Sequence, residues 1–339
     1  MSDDSQDPRR TDLEAWVRRI RPNRAWRFAP ASADASFRRY FRARSDQQRY
    51  IVMDAPPEHE PLDAFMQVAG WLADWGVLAP RVHADEPDAG FLLLDDLGDT
   101  VLLDRVDAPE AIPLLEQAID ALVDLQVKAQ ASPRLQKLPA YDTDVLLREM
   151  RLFPEWFLQR HHGLDPSAKR RAALDQLMAL VAAEVTAQPS GFVHRDYHSR
   201  NLMVADGRLV GMLDFQDAMH GPLCYDIVSL LRDCYVVWPE HVQRQGLERW
   251  SAGLTDAGVW SADPRTVTRW FDFTGVQRHL KVLGIFCRLH HRDGKSNYLN
   301  DLPRVQQHLL DVCARYPELA PLGDMLSDFD VPTPVGGAL

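Results

Sequence analysis

Three side chains close together in the chain have the types and spacing that phosphoryl chemistry needs. Asp196 ends His194-Arg195-Asp196, Asn201 follows five residues later, and Asp214 stands in Leu213-Asp214-Phe215. On a loop between strands expected at 192–193 and 202–204, a carboxylate such as Asp196 can take the proton of an attacking hydroxyl. Asn201, an uncharged oxygen donor, and Asp214, a carboxylate after a strand at 209–213, can share a hard divalent cation. Mg²⁺ suits such a pair, because it takes few protein oxygens and completes its shell with phosphate and water. A base beside a cation site is the equipment of phosphoryl transfer, where the protein positions reactants and neutralises charge. Each residue alone is bland, since a lone loop Asp more often caps a turn. The ordered set, H-x-D-x₄-N and then an apolar run ending in D-F, carries the signal.

Local patterning supplies the elements that must hold these groups. TDLEAWVRRI (11–20) reads as a helix capped by Thr11, with Leu13, Trp16, Val17 and Ile20 at helical spacing. Short strands are expected at 26–31, 37–44 and 49–56, then an amphipathic helix at 62–75 ended by Gly76, then strands at 80–84 and 90–94. Beyond Asp95-Asp96-Leu97-Gly98 the pattern turns to long helices at 109–131, 143–159 and 168–188, and again from 225 to 316, interrupted by the strand-and-loop island that holds Asp196. The fold class is α+β: a small β-rich lobe over 1–97 and a large helical lobe over 98–339.

Composition narrows the partners. The 339 residues carry 38 Lys+Arg against 49 Asp+Glu, a net charge of −11. That balance argues against a general nucleic-acid or anionic-membrane binder. No apolar run approaches the roughly 20 residues of a membrane helix. The opening MSDDSQDPRRTDLEAW has no apolar core of a signal peptide, so a cytoplasmic location is expected. The four cysteines form no C-x-x-C pair and read as reduced thiols. No protein partner is legible, and a monomer is the default.

The series resembles the aminoglycoside phosphotransferase/choline kinase group, bilobal relatives of the protein kinases, over about residues 25–300. The resemblance implies ATP and Mg²⁺, with Asp196 as catalytic base and Asn201 and Asp214 as metal ligands. His194 then supports the loop, Arg195 replaces a frequent Gly, and Asp226 in YDIVSLL braces the loop as scaffold. More narrowly, DASFRRYFR, VMDAPPE, LLLDDLG, LFPEWFL, HRDYHSRNLM, QRHLKVLGIFCRL and RDGKSNYL resemble the anomeric amino-sugar kinases of bacterial cell-wall recycling. That family implies transfer to C1 of N-acetylmuramate and N-acetylglucosamine.

The nucleotide end departs from the group's pattern. The first turn, ASADAS (31–36), lacks glycines, so Ser32, Ser36 and backbone N–H groups must approach the phosphates. Kinases of this fold place a Lys on the third strand and a Glu on the next helix; here Met53, Asp54 and Gln67 stand there. Positive charge is then expected from Arg38 or Arg39 on the second strand, where Arg38, Arg42 and Arg44 share one face and Arg39 the other. The run ending Leu94-Asp95-Asp96-Leu97 is expected to be the hinge whose backbone reads adenine, with Asp95 and Asp96 either capping the next segment or meeting ribose.

At the substrate end, residues 263–300 hold seven basic residues against three acidic ones. On one helix, Arg278, Lys281, Arg288 and Arg292 fall within about 80° of each other, a stripe suited to an anionic sugar rather than a polycationic aminoglycoside. Glu149, His198 and Arg200 are further substrate candidates, while Trp156 is expected in the core. The pairs His161-His162 and His290-His291 are not expected to chelate, since adjacent helical residues diverge. Alternatives are an antibiotic phosphotransferase, which the stripe disfavours, and a nucleotide-binding pseudokinase, which the intact Asp196/Asn201/Asp214 set disfavours.

Overall fold

In the computed structural model, residues 7–33 and 37–329 are described. They fall into two units: Met1–Thr100 with Met203–Asp217, and Val101–Leu202 with Ala218–Leu339. The sequence boundary after Leu97 runs near the first division, and the excursion of 203–217 into the first unit adds to it.

In the first unit, Asp7 rather than Thr11 caps the opening helix, α1 (Pro8–Ile20), by accepting from the Arg10 amide. Pro8 at the first helical position explains the earlier start, because its missing N–H costs nothing there. Five strands follow: β1 (Arg27–Ala33), β2 (Arg39–Arg44), β3 (Arg49–Asp54), β4 (Val82–Glu86) and β5 (Phe91–Asp95). They form one antiparallel sheet in the order β1-β2-β3-β5-β4. Leu13, Trp16 and Val17 of α1 pack on Phe41, Val52, Phe91 and Leu93, so α1 covers one sheet face. By the two-residue alternation, Arg42, Met53, Leu92 and Leu94 face the other way. Helix α2 (Asp63–Asp74) follows β3 and is closed by Gly76, whose φ of 64° suits a residue without Cβ.

The second unit is helical: α3 (Ala111–Gln130), α4 (Thr143–Met150) and α5 (Ala168–Thr186) precede the island, and α6 (Cys224–Leu231), α7 (Glu240–Asp256), α8 (Pro264–Asp293), α9 (Leu302–Cys313) and α10 (Ala320–Ser327) follow it. The helix expected over 143–159 breaks: α4 stops at Met150 and Phe153–His161 winds as a π-helix. Pro154 lacks the amide that would continue the α ladder. Helix α8 is buried along most of its length, and Gly284 lets it lie against Leu152, where a Cβ would come within 2.3 Å of backbone.

The island contains β6 (Ser190–Val193), β7 (Leu202–Ala205), β8 (Arg208–Met212) and β9 (Met219–Pro222). β7 pairs with β8, and β6 pairs antiparallel with β9 in the register Phe192↔His220. β9, sequence MHGP, has no strand signature and was not expected. All four cysteines are buried and unpaired with one another. Among the described residues, no helix is long and apolar enough to cross a membrane.

Candidate active site

The loop after β6 is built around Asp196. Asp226, in the first turn of α6 and fully buried, accepts the His194 amide at 2.6 Å and the Arg195 amide at 3.0 Å. Burial pushes the Asp226 carboxyl up to about 7, against the pull of those two amides. This is the scaffold role the sequence suggested. Tyr197 anchors the loop to α3 through its hydroxyl on Ala118 O at 2.8 Å. The His194 ring is buried and accepts the Asp196 amide at 3.3 Å. Arg195 has a φ of 77°, which explains why a glycine is at home there.

Beyond Asp196 the chain turns back on itself. The His198 amide donates to Asp196 O at 3.0 Å, and the Asn201 amide to His198 O at 2.9 Å. Asn201 Nδ2 also donates to Asp196 O, at 3.0 Å. With its nitrogen committed, the Asn201 side chain keeps its oxygen as the remaining acceptor. The Asp196 carboxylate makes no hydrogen bond or ion pair among the described residues. Burial raises its carboxyl, yet Lys281, His198 and Arg195 outweigh it and hold it below the ordinary 3.8. Asp196 is therefore ionised at neutral pH and open to a substrate hydroxyl.

Two of those cations are held by Glu149. Its Oε1 accepts Arg195 at 2.6 Å and Lys281 at 3.1 Å; its Oε2 accepts Gln277 at 3.2 Å and the Tyr141 hydroxyl. Lys281 also donates to the Tyr225 hydroxyl at 3.1 Å. Burial raises the Glu149 carboxyl, but Lys281 and Arg195 bring it below 4.5. Both oxygens are thus occupied by protein donors, which corrects Glu149 from sugar ligand to the residue that places Arg195 and Lys281. Gln277 and Glu149 lie 128 residues apart, so no local pattern could have joined them.

The basic stripe does not form one surface. Arg278 is buried and bonds Ser229 Oγ at 2.7 Å and Cys234 Sγ at 3.0 Å, which corrects its reading as a substrate contact. Where α8 is enclosed, over most of 271–287, its charged side chains meet interior partners. Arg288 is half-buried with an unpartnered Nε, and Arg292 is exposed on Asp293 at 2.7 Å. His198 is half-buried against Tyr235, with an unpartnered Nδ1. Arg200 is exposed over the Tyr235 ring, 3.6 Å from its centroid. The histidine pairs come together from two elements, His161 Nδ1 lying 3.3 Å from His291 Nε2. Among the described residues, no group of three or more His, Cys, Asp or Glu is arranged to hold a metal.

In the first unit, Asp214 has a φ of 64° and accepts Gln216 Nε2 at 2.6 Å. Phe215 is buried on Phe65, with centroids 4.9 Å apart, fixing the residue that follows Asp214. Arg38 is paired with Glu60 at 3.1 Å. Arg39 lies on the face covered by α1, where it binds Asp7 and, at 2.5 Å, the fully buried Asp54. Arg9 reaches Asp54 from α1, also at 2.5 Å. The carboxylate in place of the usual third-strand lysine thus belongs to an internal ion cluster, and Arg39 is corrected from phosphate ligand to part of it. Arg42, on the opposite face, pins the hinge by binding Asp96 at 2.8 Å, Gly98 O at 2.8 Å and Asp99. Asp95 meets His83 at 2.6 Å and accepts the Arg81 amide at 3.0 Å, while Leu97 fills the space left by Gly211. Ser36 lies outside the described residues.

The sequence matches the phosphotransferase enzyme family over residues 27–262. It is 43% identical to an N-acetylmuramate/N-acetylglucosamine kinase of Pseudomonas aeruginosa, across 95% of this chain and 97% of that protein. The fold resembles the choline kinase LicA of Streptococcus pneumoniae (TM-score 0.63, 12% identity, 91% of this chain and 99% of that one). It also resembles an ADP-bound aminoglycoside phosphotransferase (TM-score 0.56, 11% identity, 88% and 97%).

Proposed function

The chain belongs to the phosphotransferase enzyme family, and we propose that it transfers the γ-phosphoryl group of ATP to the C1 hydroxyl of N-acetylmuramate and N-acetylglucosamine, in the cytoplasm. The observation that carries this reading is the Asp196 loop, with its open carboxylate kept ionised by neighbouring cations. Asp196 takes the proton of the attacking hydroxyl. An anomeric hydroxyl is more acidic than the other sugar hydroxyls, so a carboxylate base meets a smaller demand at C1.

Asn201 and Asp214 would hold Mg²⁺, and the donor set fits: both offer oxygen, and Asn201 has its nitrogen tied to the loop. When bound, the ion neutralises charge on the phosphates. Arg38 and the hinge backbone at Asp95 and Leu97 would hold the nucleotide, within a nucleotide-binding first unit. His198 and Arg288, each with a buried unpartnered nitrogen, would face the sugar. The cations around Asp196 disfavour a polycationic acceptor.

ATP turnover measured against a panel of N-acetylated sugars and aminoglycosides tests the reading. Turnover with the two amino sugars and none with aminoglycosides is expected. Turnover with aminoglycosides alone refutes the substrate, and none with any acceptor refutes the enzyme.

A further inference from the structure

Arg200, like Arg288, has no acceptor among the described residues, but unlike Arg288 its guanidinium is laid on an aromatic ring. Arg195 is held by Glu149, Arg278 by Ser229 and Cys234, and Arg304 by Asp301 and Cys234 O. Arg292 is met by Asp293, which also feels the charge of Arg288. Among the described residues, Arg200 makes no ion pair and no hydrogen bond through its side chain. It is nonetheless fixed, because its guanidinium lies on the Tyr235 ring, 3.6 Å from the centroid, with Tyr298 at 5.9 Å. A guanidinium stacked by its face keeps its edge donors free, and those donors match a carboxylate in a two-point fork.

The fold builds this arrangement. Asp233 is fully buried and accepts the Ser199 amide at 2.8 Å with one oxygen and the Tyr235 amide at 3.0 Å with the other. One carboxylate thereby clamps the residue before Arg200 to the backbone of the ring beneath it. Both Asp233 oxygens are used by those amides, which leaves Arg200 to an external acceptor. An arginine already ordered in the free protein loses less conformational freedom on binding. Arg200 immediately precedes Asn201 in the loop that carries Asp196, so an anion read here belongs to the acceptor at that loop.

Resting on the function proposed above, we infer that Arg200, laid on Tyr235, reads the lactyl carboxylate that N-acetylmuramate carries and N-acetylglucosamine lacks. The lactyl group hangs on O3, two ring carbons from C1. A sugar presenting its anomeric hydroxyl to Asp196 thus brings a carboxylate on the same ring to the Arg200 side of the loop. Arg200 is a specificity residue; the chemistry at C1 stays with Asp196.

The test is the ratio of kcat/KM for N-acetylmuramate to that for N-acetylglucosamine in the full-length enzyme, at saturating ATP. Arg200→Gln is expected to lower the ratio at least tenfold, about 1.4 kcal/mol. The methyl ester of N-acetylmuramate, which has no charge, should show the same loss with the wild-type enzyme and no further loss with Arg200→Gln. Arg200→Lys keeps the charge without the fork and should fall between. A ratio within twofold of wild type overturns the assignment, as does equal loss for both sugars with a raised KM for ATP, which would place Arg200 on phosphate. A ratio moved by Arg288→Gln and not by Arg200→Gln also overturns it, in favour of the other cation. Wild-type protein that turns over neither sugar overturns the function proposed above and this inference with it. Wild-type turnover with an unmoved ratio overturns the Arg200 assignment alone.

Discussion

Glu149→Gln removes one charge from a buried cluster while keeping the side chain's shape. In the native protein this carboxylate meets Arg195 and Lys281 on one oxygen and Gln277 and Tyr141 on the other, and its side chain is 10% exposed. Breaking a buried ion pair by removing one partner costs about 3–5 kcal/mol, because a cation stays buried without its counter-charge. Slight exposure of Glu149 places the expected cost near the lower end, about 3 kcal/mol. At roughly 2–4 °C per kcal/mol for a unit of this size, Tm should fall by about 6–12 °C. The pH dependence has a definite sign. Glu149 titrates below its ordinary 4.5 in the folded protein, so its contribution is fully present above 4.5 and disappears as pH falls through the folded value. The Tm gap between wild type and variant should therefore be widest at neutral pH and close in acid. Arg195 also loses its tether, and kcat should drop by about tenfold to a hundredfold through misplacement of the loop. Differential scanning calorimetry across pH 3–8, with kcat at neutral pH, measures both. A variant melting within about 2 °C of wild type at pH 7 would refute the cluster's role in stability. A gap that widens in acid would refute the assignment of charge.

Asp196→Asn should lower kcat by about 10²–10⁴-fold with little change in nucleotide affinity; steady-state kinetics showing a loss under threefold contradicts the base. Asp214→Ala should weaken Mg²⁺-ATP binding in titration calorimetry and abolish transfer, and unchanged affinity with unchanged rate contradicts the metal role. Arg39→Ala should destabilise the first unit by about 1–3 kcal/mol, since buried Asp54 keeps only Arg9, without raising KM for ATP. Arg38→Ala should raise KM for ATP more than KM for the sugar. A raised KM for ATP in Arg39→Ala at unchanged Tm would return that residue to the nucleotide.

Much of this arrangement was legible before the fold was known, for reasons of scale. The strands at 39–44, 49–54 and 91–95 and the helices at 63–74 and 111–130 follow from side-chain periodicity, which is local. That Asp226 braces the loop followed from family resemblance, and the structure supplies its physics: a buried carboxylate accepting the amides at 194 and 195. Thr11 lost the cap to Asp7 because Pro8 admits an earlier start. The helix at 143–159 was over-extended because apolar spacing outvoted Pro154, and β9 was missed because MHGP carries no strand preference. The charged positions were hardest to read. Arg38 and Arg39 are neighbours in sequence, and only the placement of α1 shows that Arg39 is drawn to Asp7 and the buried Asp54 while Arg38 turns to Glu60. Arg278 and Lys281 share a helix stripe, but α8 is a central helix, so the stripe meets Ser229, Cys234 and Glu149 instead of solvent. Tyr235 gave no signal of its own; its role comes from the Asp233 clamp and the guanidinium above it.

Phosphorus NMR of the product made from ATP with N-acetylmuramate or N-acetylglucosamine tests most directly whether Asp196 serves an anomeric hydroxyl. The expected product carries its phosphate on C1, coupled to the anomeric proton, and the 1-O-methyl glycosides, which have no free anomeric hydroxyl, are inert. A phosphate on C6, or methyl glycosides phosphorylated as well as the free sugars, would contradict the anomeric assignment while leaving the phosphotransferase fold in place.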